Sequence, residues 1–134
     1  GHNGAHELMT FLGNLEAAEG QWTAARSVLR ESLQGNKKVG DRTGIACALE
    51  GLAMVALGLV EVELAALLLG ASERLREDMG APCPPIEWQR LQQSLAAAQP
   101  AIGDQAAFDS ARRQGRGLPL ERAIAIAMGT STAA

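Results

Sequence analysis

Apolar residues recur along this chain at helical spacing, in blocks separated by glycine, proline and capping residues. Leu8, Met9, Leu12, Leu15 and Ala18 share one face of a helix predicted over about 5–19. Gly20 opens a turn. A second helix over about 21–34 turns Ala25, Val28, Leu29 and Leu33 inward, and Gly35 is its expected stop. Lys37 and Lys38 follow, where positive charge suits a helix C-terminus. Asp41 is an N-cap for a third helix over about 42–59, with Ile45, Ala48, Leu49, Leu52, Val55 and Ala56 inward. A fourth, about 62–79, buries Ala65, Leu68, Leu69, Ser72 and Leu75 and ends at Gly80.

Pro82, Pro84 and Pro85 stiffen the next linker. A fifth helix carries the stripe Trp88, Leu91, Leu95, Ala98 and Ile102, and Pro100 predicts a kink or an end near Gln99. Gly103-Asp104 reads as stop and cap. A sixth helix turns Ala107, Phe108 and Ala111 inward to about Gln114, and Gly115 and Gly117 are expected to break it. Pro119 suits the first turn of a last helix, which buries Leu120, Ala123, Ile124 and Ala127 and ends near Met128.

Two of these blocks repeat each other at an offset of 40 residues. Gly13, Gly20, Ala25, Leu29 and Ser32 fall on Ala53, Val60, Ala65, Leu69 and Ser72. Met9, Leu12, Leu15 and Val28 fall on Leu49, Leu52, Val55 and Leu68. A period of this size marks stacked helical units, which present surfaces rather than reactive groups. The organisation expected is a disordered start (1–4), a single domain over 5–128 and a disordered tail (129–134). Within the domain, repeats over about 5–40 and 41–80 precede degenerate helices and a cap over 85–128.

Composition narrows the core. Hydrophobic residues make up 47% of the 134, aromatics only 3%, and tyrosine is absent, so helices must pack through Leu, Ala, Val, Ile and Met. A net charge of −3 disfavours nucleic acid as a partner. The apolar run near 52–60 is broken by Gly58 and Glu61 and is too short to span a bilayer. Cys47 and Cys83 lack histidine partners for a zinc site, and reduced thiols in a cytoplasmic protein are expected over a disulfide.

Catalytic material is scarce. The only histidines, His2 and His6, lie at the start, and no glycine-rich loop ends in Gly-Lys-Ser/Thr. Glu61 and Glu63 stand two apart, a spacing that points them in different directions on a helix. No enzyme activity, cofactor or metal is expected. The stripe Leu57, Val60, Leu64, Leu67 and Ala71 has helical spacing. It reads either as surface buried under the later helices or as a partner or homodimer face, with Trp88 as a further contact residue. Arg112, Arg113 and Arg116, with Arg122, form the basic cluster, a candidate for gripping an anion or another domain.

Leu12-Gly13 with Ala25-x-x-x-Leu29, repeated as Leu52-Ala53 with Ala65-x-x-x-Leu69, resembles the tetratricopeptide pattern. The pattern's Trp, Tyr and Pro positions hold Met9, Glu16 and Lys37, then Leu49, Ala56 and Glu77. The strings 40–46, 49–53 and 68–73, then Ala106-Ala107-Phe108, Gly115 and Leu120-Glu121-Arg122-Ala123, are similar to the C-terminal domains of LuxR/MalT-like and AfsR-like bacterial regulators and related signalling ATPases. Val60 stands where that family usually has a turn glycine, and Leu64 and Leu67 where it tends to place arginine. The resemblance implies an all-α, right-handed tetratricopeptide-like superhelix of about seven helices. It also implies a non-catalytic interaction and regulatory role toward other domains of a parent protein or a protein partner. A small-ligand sensor is the alternative.

Overall fold

The computed structural model describes residues 20–130; the helix expected over 5–19 and the terminal segments 1–4 and 131–134 lie outside them. The described residues form six helices and no strand: α1 (Trp22–Val39), α2 (Arg42–Gly58), α3 (Val62–Met79), α4 (Pro85–Ile102), α5 (Gln105–Gly117) and α6 (Leu120–Ala127).

The 40-residue offset is present in the backbone. α1 and α3 coincide at that offset, each 18 residues long. Each closes on a left-handed glycine, Gly40 (φ 74°) and Gly80 (φ 62°). Both ends are Schellman motifs: Gly40 N–H donates to Lys37 O and Asp41 N–H to Asn36 O, while Gly80 N–H donates to Glu77 O and Ala81 N–H to Arg76 O. Gly129 ends α6 the same way. At the end of α2 the left-handed position falls on Val60 (φ 61°), whose N–H donates to Leu57 O while that of Glu61 donates to Ala56 O. A β-branched residue in this conformation is strained, because its Cβ crowds the backbone.

α2 is the central helix. It is buried almost all round from Ile45 to Leu57, packed by α1, α3 and α4 and touched by α6. Asp41 caps it as expected, its Oδ1 accepting from Gly44 N–H at 3.0 Å. α3 packs most extensively against α5. A Cβ on Gly70 would lie 1.9 Å from Arg112 O, and one on Gly115 would lie 2.1 Å from Leu67 O. The two backbones therefore approach through reciprocal glycines. Buried surface from α2 and α3 supplies most of the core, with Phe108 and Ile124 added from the later helices.

Four expectations are corrected. Gly35 does not stop α1, which runs on to Val39. The reason lies one residue further. Asn36 is wholly buried, its Nδ2 donates to Ser32 Oγ at 3.2 Å, and its amide fills the space over Gly44, where a Cβ would sit 2.4 Å away. Pro100 does not end α4 at Gln99, since the helix reaches Ile102. Pro100 and Ala96, whose carbonyl loses its helical donor, are both exposed, so water replaces the missing bond. Gly115 does not break α5; it is the buried contact with Leu67. Ala107, expected inward, is exposed, although Phe108 and Ala111 are buried.

Candidate interaction surface

The residues singled out for partner contact do not share one face. Leu57 and Leu67 are only 5% and 4% exposed, the latter under α5 beside Gly115. Leu64 is half-buried against the core. Val60 and Trp88 are exposed, at 63% and 49%, and so is Ile86 at 65%. The α4 stripe explains the split. Leu91, Ala98 and Ile102 are buried, whereas Ile86 and Trp88, in the first turn of α4, are exposed.

Two clefts lie beside Val60 and Trp88. One, of about 450 Å³, is floored by Met54, Leu57 and Gly58 and edged by Trp22, Val60 and α4 residues such as Ala97. Its sharpest feature is Trp22, whose indole lies where a Cβ on Gly58 would be, 2.2 Å from Cε2. Trp22 thus fastens α1 to α2. The second cleft, about 370 Å³, holds Trp88, Leu91, Pro82 and Cys83 on one side and Glu50, Ser72 and Arg76 on the other.

Below Trp88 lies a buried ion pair that sequence reasoning missed. Arg76 donates from Nε and Nη2 to both Glu50 oxygens, at 2.9 and 2.8 Å. It also donates from Nη2 to Cys47 Sγ and from Nη1 to Ala81 O, both at 3.4 Å. Bonding to Glu50 holds the guanidinium above its ordinary pKa against the opposing effect of burial. Burial raises the Cys47 thiol despite the pull of Arg76, and pushes Cys83 up to about 12, with Glu50 adding to the shift. Both are free thiols in their neutral form, poor nucleophiles at neutral pH. One sequence signal was available: Arg76 stands 40 residues after Asn36 in the repeat, and both positions are buried.

The basic cluster is mostly neutralised. Arg112 grips Glu73 with Nε and Nη2, and Arg116 binds Glu77 at 2.6 Å, a two-rung ladder from α5 to α3. Each bond raises its arginine's pKa. Arg113 is exposed.

No family model, curated protein or solved structure matches this chain.

Among the described residues no three His, Cys, Asp or Glu side chains gather to hold a metal ion, and no helix is long and apolar enough to cross a membrane. What the surface offers is apolar anchoring: Val60 and Trp88, each lining a cleft of ligand or side-chain size, and the exposed Ile86.

Proposed function

We propose that this chain is a non-catalytic protein-interaction and regulatory domain, the tetratricopeptide-like C-terminal part of a larger bacterial transcription regulator or signalling ATPase. The observation that carries the reading is the backbone repeat: α1 and α3 coincide at an offset of 40 with the same glycine-closed ends. Stacked units of this kind expose extended faces to partners. Ile86 and Trp88 support it further, as large apolar side chains exposed on a helix that rests on α2. Half-buried neutral thiols and arginines already paired with carboxylates suit packing and contact better than bond-making.

The test begins with the reading frame upstream of Gly1. A nucleotide-binding module encoded there, expressed separately, should bind this chain in a calorimeter. Trp88→Ala should weaken that binding by about 2 kcal/mol, the scale of an aromatic hot spot. An upstream frame without such a module, or binding indifferent to both Trp88→Ala and Ile86→Glu, overturns the reading. Sedimentation of the chain alone tests for a homodimer, which Val60→Glu, at an exposed site, should dissociate.

A further inference from the structure

We propose that a third cleft, between the start of α2, the end of α3 and the α5–α6 junction, binds a small organic phosphate. Its volume is about 340 Å³ and three arginines line it: Arg42, Arg74 and Arg116. That size falls within the range of small-molecule sites. In a chain of net charge −3, three guanidinium groups on one cleft are a local reversal of sign.

The charges in and beside the cleft do not cancel. Asp78 also lines it and accepts from Arg74 Nε at 3.0 Å; Glu77 pairs with Arg116. Arg42 is exposed and makes no ion pair among the described residues. Three cations against two carboxylates leave one positive charge, on Arg42. The two pairs are solvent-exposed and so weakly held, which leaves Arg74 and Arg116 free to turn toward a stronger acceptor. Guanidinium groups match phosphate oxygens in geometry as well as charge.

The backbone adds to this. Pro119 and Leu120, where α6 begins, line the same cleft. α6 has no side-chain cap at this end, and a helix N-terminus carries partial positive charge. The floor is different: Ala71, Leu75 and Ala123 are buried and apolar. A charged rim over an apolar floor suits a phosphate carried on a small organic body better than a bare ion. This inference does not rest on the interaction function proposed above.

Calorimetry of the full chain with inorganic phosphate and with phenyl phosphate, at constant ionic strength, tests it. Both should bind saturably at one site, phenyl phosphate more tightly because its ring covers the apolar floor. Arg42→Gln should weaken phenyl phosphate about tenfold, the loss of one charge-assisted hydrogen bond. Arg113→Gln, an exposed arginine that does not line the cleft, should leave affinity within about twofold. Arg42→Lys keeps the charge and should recover part of the loss. A response that never saturates overturns the proposal, as does one unchanged by Arg42→Gln or lowered equally by Arg113→Gln. Phenyl phosphate binding no better than inorganic phosphate overturns the organic-ligand assignment.

Discussion

The α2–α3 and α4–α5 connections are both short, yet they build opposite arrangements. α2 and α3 fold back on each other through residues 59–61 and share a large buried surface. α4 and α5, joined through Gly103 and Asp104, scarcely touch: α4 packs on α2, while α5 packs on α3. The backbone differs at the two turns. α2 ends in a Schellman motif. Gly103 (φ 63°, ψ −83°) does not form that motif, and Asp104 starts α5 with its own cap on Ala107 N–H. The lesson is that helices joined by a short turn can each pack on a different earlier helix. What holds α5 is its glycine contact with α3 and the Glu73–Arg112 pair, with Glu77–Arg116 at the exposed edge.

The strongest way to break the closed hairpin is at its buried ion pair. Arg76→Ala leaves the Glu50 carboxylate buried without its partner, and should cost about 3–5 kcal/mol in urea unfolding. Replacing both residues, as Glu50→Leu with Arg76→Met, should cost much less than the single change. The open pair fails at a different place. Gly115→Ala drives a methyl against the Leu67 carbonyl, a backbone atom that cannot swing aside. The expected loss is about 3 kcal/mol, the upper end of ordinary overpacking. If the loss falls below that of Ser110→Ala, an exposed site on the same helix, the close approach of α3 and α5 is wrong.

Smaller effects sharpen the contrast. Val60→Gly relieves left-handed strain of about 1–2 kcal/mol but adds freedom to the unfolded chain, so a net gain of about 0.5–1 kcal/mol is expected. A lower melting temperature for that variant would contradict the Val60 geometry. Pro100→Ala restores a helix donor in the last turn of α4 and should stabilise by about 0.5–1 kcal/mol, less than a mid-helix proline because Ala96 is solvated.

Acid acts most weakly, and on the ladder of the open pair. A hydrogen bond from Arg116 holds the Glu77 carboxyl below its ordinary value of 4.5. A folded pKa below the unfolded one means the contribution is complete above the unfolded value and disappears as pH falls through the folded one. Stability should therefore decline below about pH 4.5, and Glu77→Gln should make that decline slightly shallower.

Much of the fold was legible from local signals. Asp41 and Asp104 cap the helices they precede, Gly80 sits at a left-handed end, and the inward faces of α2 and α3 follow from periodicity. The errors came where one residue type serves two purposes. Gly35 and Gly115 resemble stops, but each lies within a helix whose continuation depends on a tertiary contact. The basic cluster was visible as charge, while the carboxylates that neutralise Arg112 and Arg116 lie 39 residues earlier and meet them only because α5 skips its neighbour. The Arg42 cleft was invisible for the same reason: its arginines come from three separate helices.

The matched ends at Gly40 and Gly80 give residues 41–80 the character of a cassette. The chain enters and leaves this stretch in the same left-handed turn, with the same pair of backbone bonds behind it. An in-frame duplication of the stretch would join Gly80 to a second Asp41 with no new backbone geometry at the seam. Proteins of this build can thus change length by whole units, and divergence between copies, such as Asn36 against Arg76, can follow without redrawing the joints.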